Sequence, residues 1–189
     1  MALPKVAVIN GSLRKDSINK KLALAIAKLA AGKLDLKFVD ISDLPLYNQD
    51  LEANFPATVQ RVKNEIAASD AVLFVTPEHN RSISAALKNV IDWGGRPYGQ
   101  GVWDGTPGAI VGTTPGAIGT AIAQDHLKGI LVNQGVALLG RPEVYFTYKD
   151  GVFDANNDVT DPAAKQLLQN FVDAFTNWVG RFARAKIAA

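Results

Sequence analysis

The chain contains no cysteine at all. That single absence excludes disulfide staples, thiolate nucleophiles, CxxC redox pairs and cysteine-based zinc sites. Histidine is scarce as well, with two residues far apart in sequence, and no carboxylate cluster stands near either, so no metal site is expected. No stretch approaches the roughly twenty apolar residues of a membrane-spanning helix, and the opening "MALPKVAVIN" has no cleavage pattern, so a protein of the cytoplasm, outside the membrane, is expected. Nor is there an excess of one charge: 20 Lys and Arg face 18 Asp and Glu, a balance too even and too scattered to indicate nucleic acid. Any redox chemistry must therefore come from a borrowed group.

What is present is a moderately apolar chain of 189 residues, 48% hydrophobic and 20% charged. It is long enough for one core and uniform enough to be one domain, residues 1–189. "KVAVIN" (5–10), "AVLFVT" (71–76) and "GAIVGT" (108–113) are short apolar runs rich in β-branched residues, the pattern of strands buried on both faces. "LDLKFVD" (34–40) alternates instead, which predicts a strand at an edge. A last strand is split between 136–140 and 143–146, with Pro142 interrupting. Ile18, Leu22, Ile26 and Leu29 recur at helical spacing, as do Val59, Val62 and Ile66. Further helices are predicted over 82–93 and 117–134. A final one begins at Asp161 and Pro162, a good cap and first-turn residue, and carries a Leu168, Phe171, Phe175, Trp178, Phe182 stripe read as core. Strands alternating with helices predict an α/β sandwich whose parallel sheet has the order 2-1-3-4-5.

In such a sheet, ligands bind beyond the carboxyl ends of the strands, so the loops after strands one, three and four should meet. The first, "NGSLRKDSIN", leads into a helix N-terminus, where free N–H groups and the helix dipole favour an anion. Ser12, Ser17 and Asn19 add donors, and Arg14 adds a fork matched to phosphate oxygens. The other reading of the same residues makes Ser17 a helix cap and Arg14 and Lys15 a solvated pair. Neither GxxxxGK[ST] nor GxGxxG occurs, which argues against nucleoside triphosphates and dinucleotide fingerprints. The second loop, "TPEHNRS", carries Pro77, Glu78, His79 and Asn80, planar and amide groups suited to meet a heteroaromatic ring edge-on. The third, "GTTPGAIGT", offers Thr113, Thr114 and glycines where a backbone approaches closely.

Together, "GSLRKDSIN", "TPEHNRSISAALKNVIDW" and "GTTPGAIGT" resemble the NADPH-dependent FMN reductase family, which includes bacterial quinone and chromate reductases, in its forms GSLRxxSxN and PEYNxSxPxxLKNxIDW. The resemblance implies a flavodoxin-like fold, FMN as cofactor, and NADPH or NADH as the electron donor. It implies phosphate contacts from Ser12, Arg14, Ser17, Asn19 and the backbone N–H of Ile18. Ring contacts follow from Pro77, Glu78, His79, Asn80 and Thr113. No side chain is implied as a catalytic group, since hydride transfer takes place at the flavin N5, with ping-pong turnover between donor and acceptor. Quinones are the implied acceptors, with chromate, free flavin and azo compounds as others; a one-electron flavodoxin carrier is the alternative. The sequence departs from the family at His79, where Tyr is usual, and at Ser84, where Pro is usual. His79 is read either as a proton donor to reduced quinone or as a packing residue beside the ring. The loop "GGRPYGQG" (94–101) is expected to border the acceptor pocket, with Arg96 and Tyr98 binding substrate. Relatives of this kind imply a homodimer or homotetramer; Arg81, just past the second loop, is read either as pairing with Asp125 or Glu143 across the boundary or as solvated.

Overall fold

A computed structural model describes residues 2–188 of the chain. Its centre is a parallel sheet: β1 (Lys5–Asn10), β2 (Asp35–Phe38), β3 (Ala71–Thr76), β4 (Pro107–Thr114), β5 (Ala137–Leu138) and β6 (Tyr145–Thr147). The order is β2-β1-β3-β4-β5, with β6 also paired to β4. The alternating segment is the edge strand, and the divided last strand is two short pieces that pair in parallel with β4 at either end. Pro142, which has no N–H to give a ladder, lies between them.

The pleat sends successive residues to opposite layers. Val6, Val8, Leu73, Val75 and Val111 face α1 (Ile18–Leu29) and α5 (Pro162–Ala188). Ala7, Ile9, Val72 and Phe74 face α2 (Ala57–Ala67), α3 (Ala85–Gly94) and α4 (Ala121–Asn133). The aromatic stripe of α5 packs as core: Leu168, Phe171 and Phe175 are buried, and the Trp178 indole donates to the Ala137 carbonyl at 2.8 Å. Asp161 caps this helix by accepting from the Ala164 N–H at 2.7 Å. Among the described residues no helix is long and apolar enough to cross a membrane.

Chain direction decides what lies where. Each helix after a strand returns the chain to the amino ends of the sheet, so segments 11–17, 77–84 and 115–120 share the carboxyl pole. The segment 95–106, which follows α3 and leads into β4 beside the start of β3, lies at the opposite pole.

Candidate flavin site at the carboxyl ends of the strands

The first loop is shaped by short polar side chains at its base. Asn10 closes it on itself: its amide donates to the Ser12 carbonyl at 3.0 Å and accepts from the Ser12 N–H at 3.3 Å. Gly11 sits where this loop crosses the start of α3. A Cβ there would lie 2.9 Å from the Ser84 hydroxyl and 3.0 Å from Leu87 Cβ, so a larger residue would push the two loops apart. Ser17 is the N-cap of α1, accepting from the Lys20 N–H at 3.1 Å. Capping occupies the Ser17 hydroxyl, so what this residue still has to offer an anion is its backbone N–H. Among the described residues no acceptor bonds the N–H groups of Ser17, Ile18 and Asn19. Beside them Ser12 is half-buried, while Arg14 and Lys15 are exposed. A cleft of about 430 Å³ runs from Ser12, Arg14 and Lys15 to Asp40 and Ser42 beyond β2.

Asn19 has a second task that its position in a helix does not advertise. Its buried amide donates to the Thr113 carbonyl at 3.0 Å and accepts from the Thr113 N–H at 2.9 Å. Gly112 is the last residue of β4 paired with β3, so the Asn19 side chain takes the ladder bonds where β3 has ended. Thr113 is buried too, and its hydroxyl donates to the Phe146 carbonyl at 2.8 Å. One amide thereby fixes the first loop to the third. A Cβ on Gly112 would lie 2.2 Å from the Thr76 carbonyl oxygen, which keeps this crossing closed to any other residue.

The second loop is a tight hairpin. The N–H and C=O of His79 exchange bonds of 2.9 Å with those of Ser82, while Asn80 and Arg81 take left-handed conformations at φ 49° and 63°. Positive φ at both central residues is the signature of a type I′ turn. The N–H groups of Glu78, Asn80 and Arg81 have no acceptor among the described residues. His79 builds the hairpin with its backbone, so exchange of Tyr for His leaves the turn intact and changes only the exposed side chain. Ser84, the other departure, is the N-cap of α3: it accepts from the Leu87 N–H at 3.2 Å and donates to the Gly11 carbonyl at 2.6 Å. A proline there would have neither bond. Ser84→Ala should therefore cost about 1 to 2 kcal/mol of stability, read as a lower urea midpoint at unchanged slope.

Glu78 is a structural surprise. Its carboxylate, almost covered, accepts from the Ala123 N–H at 3.1 Å in the first turn of α4. The residue at that helix's own N-cap position, Thr120, has φ 69° and makes no side-chain cap bond. Glu78 caps α4 in its place, with the carboxylate at the positive end of the helix dipole. Arg81, mostly exposed, approaches the same carboxylate at 3.4 Å, and Glu143 pairs with Lys128. His126 lies on the surface of α4 with Nδ1 3.2 Å from the Ser82 hydroxyl.

Arg96 and Tyr98 are not brought to these loops. Within one chain they lie at the amino pole, where Arg96 forks onto Glu52 through Nε at 2.6 Å and Nη2 at 3.2 Å. The Tyr47 hydroxyl donates to the same carboxylate at 2.8 Å. Hydrogen bonds from Arg96 and then Tyr47 hold the Glu52 carboxyl below its ordinary value. A lowered carboxyl stabilises the fold above the unfolded pKa, and the gain disappears as pH falls through the folded value. Glu52→Gln should accordingly flatten the acid limb of a stability–pH curve below about pH 4.5. Among the described residues no group of three or more His, Asp or Glu is placed to hold a metal ion.

The geometry has counterparts among known proteins. The profile of the family described as NADPH-dependent FMN reductase matches residues 4–151. This chain belongs to that family. A 2-hydroxy-1,4-benzoquinone reductase from a Burkholderia species is 49% identical over 179 residues, covering 95% of this chain and 97% of the relative. A quinone reductase of Pseudomonas putida is 49% identical over 175 residues, covering 92% and 94%. Among solved structures, the flavoenzyme FerB, an NAD(P)H:(acceptor) oxidoreductase of Paracoccus denitrificans, superposes with a TM-score of 0.92 at 47% identity, covering 95% of this chain and 98% of FerB. Within this family the flavodoxin-like sheet order inferred from strand patterns is the observed one.

Proposed function

We propose that the chain is an FMN-dependent NAD(P)H oxidoreductase that passes electrons to quinones. The observation that carries this reading is the cluster of N–H groups at Ser17, Ile18 and Asn19 that have no acceptor among the described residues, flanked by Ser12 and Arg14 and at the same pole as the N–H groups of Glu78, Asn80 and Arg81. The first set fits a phosphate monoester: helix N-terminal amides, a hydroxyl and a guanidinium supply directional donors and positive charge. The second fits the edge of a ring rich in oxygen and nitrogen acceptors. Bound FMN supplies the hydride acceptance and donation that no side chain of this cysteine-free chain provides.

The protein's own part is positioning. Ser12, Arg14 and the amides of 17–19 hold the phosphate, Asn19 and Thr113 lock the loops that flank it, and Pro77 to Asn80 shape the wall for the ring. Donors fixed on the tight hairpin need no reorganisation as charge develops, which is the electrostatic advantage of a rigid loop. His79 offers an imidazole to whatever docks on the exposed side of that wall.

Arg96 and Tyr98 can serve substrate binding only at the site of a second copy, since they stand at the far pole of their own. A homodimer or homotetramer satisfies that requirement. Tyr98, 91% exposed, is then the residue to cover an acceptor, and Arg96, its fork held by Glu52, stiffens the segment beside it. Tyr98→Ala is expected to raise the KM for benzoquinone several-fold at unchanged FMN affinity; an unchanged KM removes both residues from the substrate site.

A steady-state assay tests the function. FMN-loaded protein should consume NADPH or NADH only when a quinone is present, with parallel double-reciprocal lines. An electron carrier of the flavodoxin kind would consume neither. Chromate, free flavin and azo compounds are further acceptors for the same assay, and a cytoplasmic location accords with a supply of reduced nicotinamide.

A further inference from the structure

Lys63 is a lysine in the middle of α2, yet it is only 7% exposed. Its ammonium group makes no salt bridge among the described residues. It donates instead to two main-chain carbonyls, those of Arg96 and Gln100, the latter at 3.0 Å. The Phe55 ring covers it, with the centroid 5.2 Å from Nζ. Glu52, whose charge acts on it, is committed to Arg96 and Tyr47. Burial lowers the Lys63 pKa, so the charge is held there at a cost that its partners must offset.

Those partners define a neck. Between the two carbonyls, Gln100 donates to the Pro97 carbonyl at 2.9 Å, and Gly99 has φ +77°. This is a four-residue turn with glycine at the position that needs positive φ, and it places Tyr98 at the tip. Lys63 grips the chain immediately before the turn and at its last residue, while Glu52 grips the Arg96 side chain from the same side. Tyr98 itself is left almost bare of contacts. A large aromatic held out on a braced turn loses little freedom on contact, which is how a recognition side chain gains affinity.

We propose that Lys63 is a positioning residue that staples the neck of the 97–100 turn and thereby presents Tyr98, as a preformed aromatic, to the acceptor site of a second copy. The inference rests on the reading of Tyr98 given above, but the staple itself is read separately from the acceptor.

The test uses the FMN-loaded protein. Chymotrypsin should cut slowly after Tyr98 in the wild type despite its exposure. In Lys63→Met and Lys63→Gln that cut should quicken at least tenfold, with far-UV circular dichroism unchanged. In the same variants the KM for benzoquinone should rise several-fold while kcat stays within twofold. Cleavage within twofold of wild type in both folded variants would overturn the staple. Faster cleavage with an unmoved KM would overturn the positioning role while leaving the oxidoreductase reading, carried by kcat, untouched. Should neither variant fold, wild-type protein is treated with acetic anhydride and mapped by mass spectrometry. Lys63 should acetylate far more slowly than exposed Lys15, and cleavage after Tyr98 should quicken in step with its modification. Acetylation of Lys63 as fast as Lys15, or with no change in cleavage, would overturn the proposal.

Discussion

Asn19→Leu is expected to lower stability by about 3 kcal/mol, because it strands the buried N–H and C=O of Thr113 together, each a group whose loss of partner costs roughly 1 to 3 kcal/mol. For a chain of this size that corresponds to a fall of roughly 6 to 12 °C in Tm. Leucine branches at the same carbon as asparagine and is the larger residue, so no cavity is left and the lost polar partners carry the penalty. The same change should weaken FMN binding at least tenfold in the variant that remains folded, since the amide is the tie between the loop after β1 and the loop after β4. Differential scanning calorimetry and FMN titration separate the two effects. A stability change below 1 kcal/mol would mean that Thr113 finds other partners, and the account of the tie would fail.

Arg14→Glu should behave in the opposite way. Arg14 is exposed, and among the described residues its side chain makes no salt bridge or hydrogen bond, so the apo protein should melt within a degree or two of wild type. FMN affinity, however, should fall about 100-fold or more, because a charge-assisted hydrogen bond of about 1.5 to 3 kcal/mol is replaced by repulsion of the phosphate. The loss should be specific to the phosphate: riboflavin should bind both proteins alike. Equal loss for riboflavin and FMN would place Arg14 elsewhere in the site.

These two residues also mark what the sequence discloses and what it hides. The buried strands were legible because a strand covered on both faces reads as an uninterrupted apolar run, and β3 begins and ends where that run does. The edge strand was legible for the complementary reason, alternation. The meeting of three loops followed from the direction of parallel strands alone. By contrast, the Asn19 amide is turned to a partner 94 residues away, and a local pattern cannot reveal such a partner. Glu78 hides its role in the same manner: it caps a helix that starts more than forty residues later, at a position where Thr120 gives no cap. Asn10 reads as the end of a strand, and only the loop geometry shows it folding the loop that follows β1. Lys63 sits in a helical pattern as an ordinary solvated lysine would, and its burial depends on the 96–100 segment lying over it. The far-pole position of Arg96 and Tyr98 was available in principle, since a loop after a helix must lie at the amino ends.

The proposed function requires that the loops after β1, β3 and β4 together form one FMN site per chain. Titration of the flavin-free protein with FMN, followed by flavin absorption after gel filtration and then by addition of NADPH without oxygen, tests it most directly. The expected result is a yellow protein carrying one FMN per chain that bleaches within seconds of adding NADPH. A protein that leaves the column colourless after incubation with excess FMN would contradict it.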